Sequence, residues 1–179
     1  VDEVNTKINI NSYYIAKMLV EENNLIKIDN LIYGYNERCY QCLTNTDIEN
    51  LIHQVNRNLN EKQRKEILKK VYFEAPNKEK DINHISVKNG LINITDDEIV
   101  LYEHTSKIVT TFYIDYDYNP NADYTDILNY MSELVGDDES LTRILMEFLG
   151  YCLYPDCFLR KALVIKGDHR NGKSKFFLI

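Results

Sequence analysis

The sequence contains no long run of apolar residues. Hydrophobic residues make up 44% of its 179 positions. No stretch, however, approaches the ~20 consecutive apolar residues that a membrane-spanning helix requires. The first ten residues, VDEVNTKINI, lack both the basic start and the apolar centre of a secretory signal peptide. These absences predict a soluble, cytoplasmic chain with no membrane partner.

The sequence also lacks an excess of positive charge. Its 21 Lys and Arg residues are outnumbered by 28 Asp and Glu residues, which gives a net charge of −7 and a pI of about 5.1. Binding to a phosphate backbone depends on Lys and Arg, so these numbers exclude a chain that coats nucleic acid with its whole surface. Any contact with nucleic acid must therefore be local.

Two segments do carry local positive charge. One is the stretch 160–175, and the other is a predicted helix between Arg57 and Lys70. The candidate nucleic-acid-binding residues of this helix are Arg57, Lys62, Arg64, Lys65, Lys69 and Lys70. The favoured alternative is an ordinary solvated helix face, on which Glu61 and Glu66 each pair with the lysine four residues later.

The sequence contains only four cysteines, and they are unevenly spaced. Cys39 and Cys42 form a C-x-x-C motif, whereas Cys152 and Cys157 lie far along the chain with a wider spacing. A zinc site built from four thiolates usually has two similar pairs, so reduced thiols of an intracellular protein are the favoured interpretation. Whether Cys39 and Cys42 bind zinc stays open.

The hydrophobic pattern predicts an α+β fold made of four consecutive parts. These are an N-terminal α+β module at 1–75, a β-rich segment at 76–120, a helical pair at 121–156 and a short C-terminal segment at 157–179. In the first module, three helices are predicted: one capped by Ser12, one opened by a capping box of Thr46 and Glu49, and one over roughly Glu61 to Tyr72. Alternation over 25–43 predicts two or three short strands after the first helix.

The clearest hairpin signal in the β-rich segment is ISVKNGLINI, where Asn89-Gly90 separates two β-branched runs. The further predicted elements are a strand from Glu98 to Tyr102, a strand from Thr110 to Tyr118, a helix ending at Gly136, a helix beginning near Asp138 and a buried parallel strand from Ala162 to Ile165. The last of these strands leads directly into a glycine-containing loop.

That loop, GDHRNGKS from Gly167 to Ser174, matches the G-x-x-x-x-G-K-[ST] pattern of a phosphate-binding loop. Its position between a predicted strand and the helix-compatible KFFLI is the setting that such a loop requires. Gly167 and Gly172 allow backbone turns that direct N–H groups at phosphate oxygens. Lys173 is predicted to contact the β- and γ-phosphates of ATP, and the Ser174 hydroxyl to bind Mg²⁺.

Three motifs carry a family resemblance: the V-K-N-G hairpin, a helix ending in L-G-Y at 149–151, and the N-G-K-S form of the loop. With the intervening run from YIDYDYNPNADY to GDHRNGKSKF, the region from Ile85 to Phe177 resembles the phage, plasmid and poxvirus primase-helicase family, whose motors are superfamily 3 helicases. The N-G-K-S form adds Asn171 to the cofactor-binding positions.

The resemblance implies that residues 157–179 are the truncated start of a P-loop ATPase domain. It further implies an AAA+-like α/β motor that forms a homo-oligomeric ring and unwinds DNA with the energy of ATP. Family members often carry a primase and replicate a mobile element, in a bacterial host cell or at a site of viral replication. The family's Walker B acids, polar sensor and arginine finger follow the loop, and the sequence stops at Ile179. We therefore expect an N-terminal fragment of a replicative helicase that does not itself hydrolyse ATP efficiently, and the missing initiator Met agrees with this expectation.

Two other functions stay open. A non-catalytic module for oligomerisation, or for DNA or partner binding, would use the loop only as a structural strand and turn. A small-molecule P-loop kinase is less favoured, because such enzymes usually place this loop near their N-terminus.

Overall fold

The structure is a computed structural model that describes residues 11–95, 99–167 and 172–177. The helices are α1 (Ser12–Glu22), α2 (Asn45–Val55), α3 (Glu61–Glu74), α4 (Thr125–Leu134), α5 (Glu139–Cys152) and α6 (Lys173–Phe176). The strands are β1 (Ile26–Ile28), β2 (Leu31–Tyr35), β3 (Tyr40–Cys42), β4 (His84–Val87), β5 (Gly90–Asn93), β6 (Leu101–Tyr102) and β7 (Tyr113–Ile114). The predicted α+β class is confirmed. None of the helices in the described ranges is long and apolar enough to cross a membrane.

The first half of the chain is built around one apolar core. Helices α1, α2 and α3 pack with the antiparallel sheet β1-β2-β3. The core residues Leu19, Ile32, Ile48, Ile52 and Ile67 are all at most 2% exposed. Core residues of the same helix, such as Ile48 and Ile52, are spaced three or four residues apart, so one face of each helix is turned towards the core.

The hairpin between β1 and β2 has the two-residue loop that its sequence indicates. Ile28 pairs with Leu31, so the loop consists of Asp29 and Asn30, with φ of +49° and +62°. A turn with positive φ at both central residues matches the twist of the flanking strands, and Asp and Asn tolerate that conformation well. The local sequence therefore determines the register of this hairpin.

The predicted cap of α1 is wrong by one residue. The Asn11 side chain caps the helix, because it accepts a hydrogen bond from the Tyr14 N–H at 3.2 Å. The Ser12 hydroxyl instead donates to the Glu66 carboxylate on α3 at 2.6 Å. A contact with a distant helix, which the local sequence does not encode, decides the orientation of this serine.

The predicted capping box of α2 is also displaced. Thr44 and Asp47 form the box, not Thr46 and Glu49, and the Asp47 carboxylate accepts from the Thr44 N–H at 2.8 Å. The sequence TNTDIEN contains both boxes at the same spacing. The earlier start lengthens the helix and lets the Asn45 side chain accept a hydrogen bond from a tyrosine hydroxyl of α3 at 2.9 Å.

The predicted hairpin at Asn89-Gly90 is confirmed as β4 and β5, the centre of a sheet with the order β6-β5-β4-β7. Val87 pairs with Gly90, so the loop is formed by Lys88 and Asn89, and Gly90 is already the first residue of β5. The Asn89 side-chain amide exchanges two hydrogen bonds, of 2.8 and 3.0 Å, with the Tyr118 backbone. The Asn89 side chain thus connects the hairpin to the segment that follows β7 by hydrogen bonds.

Two predicted strands are shorter than expected. β6 covers only Leu101–Tyr102, and Glu98 lies outside the described residues. β7 covers only Tyr113–Ile114, and it is an edge strand parallel to β4. Beyond β7, the Lys88 N–H donates to the Tyr116 carbonyl at 3.0 Å. Together with the Asn89 side chain, this bond replaces the regular ladder that the alternating pattern had predicted.

The second sheet packs against the first module through the segment that precedes β7. Val109 shares an apolar cluster with Ile26, Ile28 and Tyr40. The Tyr40 N–H also donates to the Thr110 carbonyl at 2.8 Å. The predicted N-terminal module and β-rich segment are therefore joined by a common apolar cluster as well as by hydrogen bonds.

The predicted helices on either side of Gly136 are confirmed as α4 and α5. Gly136 has a φ of +68°, and the Asp138 side chain caps α5. The two helices pack against α6 around Met131, Leu145 and Phe176, which are at most 6% exposed. The end of the described chain is therefore held by this helical pair.

The predicted buried strand from Ala162 to Ile165 is wrong. Leu163 and Ile165 pack against the cluster of α4, α5 and α6, but Val164 between them is 87% exposed. A strand requires backbone partners on a neighbouring strand, and no described strand pairs with this segment. The first strand of an AAA+-like core is therefore absent from the part of the chain that the structure describes.

Candidate functional site

The glycine loop is described only at its two ends. Gly167, Gly172 and Ser174 are described, whereas 168–171, with the predicted cofactor residue Asn171, lie outside the described residues. Gly172 has a φ of +86°, a left-handed conformation that glycine adopts without strain. Helix α6 follows immediately, with Lys173 as its first residue. A glycine turn that leads into a helix is the second half of the strand-loop-helix order that a phosphate-binding loop requires, and the described residues before the loop do not form the strand.

The end of the glycine loop is anchored on the helical pair. The Tyr130 hydroxyl on α4 donates to the Gly172 carbonyl at 2.8 Å, and the Lys175 ammonium lies 5.2 Å from the centre of the Tyr130 ring. A Cβ at position 172 would lie 3.3 Å from the Leu134 side chain. Phe176, 3% exposed, completes the contact. Helix α4 therefore fixes the backbone at the point where the loop becomes α6, a role of Tyr130 that sequence analysis missed.

Helix α3 is the predicted basic helix, and its lysines fall into two groups. Lys65 forms an ion pair with Glu61, and Lys70 forms one with Glu66 at 3.0 Å. These are the two pairs expected of a solvated helix face. Their positive charges are therefore already compensated within the helix.

The other candidates on and beside α3 differ in exposure. Arg57 is exposed in the connection between α2 and α3, and Arg64 is half-buried. Lys62 and Lys69 are exposed, and neither forms an ion pair within the described ranges. The six predicted residues therefore do not form one common surface.

An exposed aromatic residue lies beside the two unpaired lysines. Phe73 is 79% exposed, and positions 62, 69 and 73 fall on one stripe because they are separated by seven and four residues. Ile67 and Val71, both 0% exposed, lie on the opposite side of the helix. We call the surface formed by Lys62, Lys69 and Phe73 the outer face of α3. Phe73 was not among the predicted binding residues, although its helical offset from Ile67 and Val71 could have revealed it.

The acid on the same stripe, Glu66, is held by both α1 and α3. Its carboxylate accepts a hydrogen bond from the Ser12 hydroxyl at 2.6 Å, and the Lys70 ammonium lies 3.0 Å away. The hydrogen bond from Ser12 and then the bond and charge of Lys70 lower the pKa of Glu66 below its ordinary value of 4.5. Glu66 therefore stays ionised and joins the first turn of α1 to α3.

We expect Glu66→Gln to reduce the sensitivity of folding to acid. A carboxyl group whose pKa is lower in the folded chain stabilises the fold above its unfolded pKa, and this contribution is lost as the pH falls through the folded pKa. The glutamine keeps an acceptor for Ser12 but cannot titrate. Between about pH 7 and about pH 3.5, the Tm should fall less in the variant than in the native chain. An equal fall in both proteins would show that Glu66 contributes nothing to the pH dependence.

The C-x-x-C residues have different surroundings. Cys39 is 4% exposed and Cys42 is exposed, and both are free thiols. Burial raises the pKa of the Cys39 thiol, which disfavours the thiolate form that metals bind. Among the residues that the structure describes, no group of three or more His, Cys, Asp or Glu side chains is arranged to hold a metal ion.

Comparison with protein families places the fold in a known group. A family model described as D5 N terminal like matches residues 8–137, which span the first module, the second sheet and α4. The chain belongs to the D5 N-terminal-like family. This domain is found in phage and viral primase-helicase proteins, and the match supports a role related to replication. No curated protein sequence matches the chain.

The D5 N-terminal-like match extends the resemblance towards the N-terminus. The motifs of the sequence placed the resemblance from Ile85 to Phe177, whereas the match begins at residue 8 and includes the whole outer face of α3. It ends at residue 137, before α5 and the glycine loop. The interpretation of the loop therefore depends on the loop's own residues and not on the family match.

Proposed function

We propose that this chain is the part of a replicative DNA helicase, of the primase-helicase type, that precedes and enters the ATP-binding motor. One observation carries the proposal: a D5 N-terminal-like domain at 8–137 is followed, along one chain, by GDHRNGKS at 167–174. In the complete protein, a homo-oligomeric ring unwinds DNA with the energy of ATP hydrolysis.

The glycine loop supplies the groups that hold the phosphates. Backbone N–H groups between Gly167 and Gly172, with Asn171, bind phosphate oxygens, while Lys173 neutralises charge on the β- and γ-phosphates. Ser174 is exposed and would bind Mg²⁺ through its hydroxyl. The left-handed Gly172 and the immediate start of α6 support this assignment. Bound Mg²⁺ supplies the positive charge that stabilises phosphoryl transfer.

Titration of the chain with Mg²⁺ and a fluorescent ATP analogue tests this assignment. We expect the native chain to bind, and Lys173→Ala to bind at least about tenfold more weakly, because hydrogen bonds to charged groups contribute about 1.5–3 kcal/mol. Lys161→Ala removes another exposed lysine near the loop and should bind like the native chain. Equal affinity of the native chain and Lys173→Ala would contradict nucleotide binding by the loop.

A non-catalytic DNA- or partner-binding module is the second candidate function. It is favoured by residues 162–165, which form no strand within the described ranges. In that case the loop is only a structural turn, and the chain binds DNA or a protein partner without nucleotide. DNA binding combined with a failure to bind Mg²⁺ and the ATP analogue would favour this candidate.

A further inference from the structure

The outer face of α3 places two cations and an aromatic ring in one line. Lys62 and Lys69 are separated by two helical turns, which is about 10.5 Å along the axis, and Phe73 follows about one turn later. All three are exposed, whereas Ile67 and Val71 on the opposite side are buried in the core. The outer face can therefore contact a ligand without any rearrangement of the fold.

The charge of the outer face is only partly offset by its neighbours, since the charge of Lys62 is the last of several causes that lower the pKa of Glu66. Lys62 and Lys69 form no ion pair within the described ranges. The acid on the same stripe, Glu66, is already engaged by Ser12 and Lys70. In a chain with a net charge of −7, this is a local concentration of positive charge that suits an anionic ligand.

The outer face also carries an aromatic ring. Phe73 exposes 79% of its surface. Ser12 bonds to Glu66 and Lys70 on α3, so the first turn of α1 lies beside this part of α3. An exposed ring beside cations that form no ion pair suits a ligand that has both flat apolar surfaces and negative charge.

We propose that the outer face of α3 binds single-stranded DNA, with a base stacked on Phe73 and with Lys62 and Lys69 in contact with phosphates. Stacking on aromatic side chains beside a cationic track is the general mode by which proteins bind single strands without sequence preference. Bases in a duplex are already stacked on each other and cannot cover Phe73. The choice of DNA as the nucleic acid rests on the proposed function, and the inference identifies the surface that engages it.

Binding of fluorescein-labelled oligo(dT) to the 179-residue chain, followed by fluorescence anisotropy at several salt concentrations, tests this inference. Phe73→Leu keeps an apolar side chain but removes the ring, so it should weaken binding at least about fivefold without changing the salt dependence. The double variant Lys62→Gln/Lys69→Gln should reduce the slope of log K against log salt by about 1.4, because each single-strand phosphate contact contributes about 0.7.

The matched control is Lys80→Gln/Lys107→Gln, which removes the same charge from exposed positions outside the outer face that also form no ion pair within the described ranges. It should bind oligo(dT) like the native chain, and a duplex of the same length should bind more weakly than the single strand. Native affinity in Phe73→Leu, equal loss in the control, or duplex binding as tight as single-strand binding would each overturn the inference. Oligo(dT) binding needs no ATP, so a failure of nucleotide binding with intact oligo(dT) binding would contradict the proposed motor and not this surface.

Discussion

Gly90→Ala is expected to lower the free energy of unfolding by about 3 kcal/mol, at the upper end of the range for overpacked positions. The new Cβ would lie 2.3 Å from the Tyr102 carbonyl oxygen and 2.9 Å from the Leu101 side chain. The oxygen belongs to the backbone of β6, which is paired with β5. The contact can therefore be relieved only by displacing one strand from the other, not by rotating a side chain.

Thermal unfolding measures this effect, with a second glycine as the control. For a chain of this size, about 3 kcal/mol corresponds to a fall in Tm of roughly 6–12 °C. Gly150 lies in α5, and a Cβ added there would meet no atom within 4 Å. Gly150→Ala should therefore leave the Tm unchanged or raise it slightly, because alanine favours helices. A Gly90→Ala protein as stable as the native chain would show that β6 does not approach Gly90 this closely.

The hairpins and helix ends were predictable wherever neighbouring residues decide the conformation. Asp29 and Asn30 can close a two-residue turn by themselves, and Asp138 can cap α5 without any distant partner. Asn89-Gly90 correctly indicated a hairpin, although the glycine serves the close approach of β6 and not the centre of the turn. That difference depends on a third strand, which the short motif does not specify.

The failed predictions concern residues whose environment comes from distant parts of the chain. Ser12 looks like a cap, but it bonds to Glu66, which lies 54 positions away. The run from 162 to 165 has the composition of a buried strand, yet strand formation depends on partners that the described residues do not supply. Tyr130 acquires its role only because α4 packs against the end of the glycine loop.

The candidate DNA surface was only partly predictable, because the environment of its residues also depends on distant parts of the chain. Charge alone identified six candidate DNA-binding residues in α3 and in the connection that precedes it. Ion pairs within the helix, however, compensate the charges of Lys65 and Lys70. The structure separates these from Lys62 and Lys69 and adds Phe73, whose exposure depends on how α3 sits against the core. Helical spacing predicted the ion pairs of Lys65 and Lys70 and could have revealed the stripe, but it could not show how far Phe73 is exposed.

Loss of ATP turnover in Lys173→Ala is the other large effect that we expect. Under the proposed function, the Lys173 ammonium of the complete protein would stabilise the charge that develops on the transferring phosphoryl group. Removal of one such stabilising group from an active site lowers kcat by about 100-fold or more. Lys173→Arg should not restore turnover, because a planar guanidinium cannot replace a compact ammonium in a tight loop. Lys161→Ala, near the loop but outside it, should retain full turnover.

The rate of ATP hydrolysis by the complete protein, measured with and without single-stranded DNA, tests the central claim most directly. We predict that single-stranded DNA raises the rate, and that Lys173→Ala abolishes hydrolysis under both conditions. Hydrolysis that is insensitive to DNA, or that is unchanged in Lys173→Ala, would contradict the placement of this chain at the entrance of an ATP-driven DNA helicase.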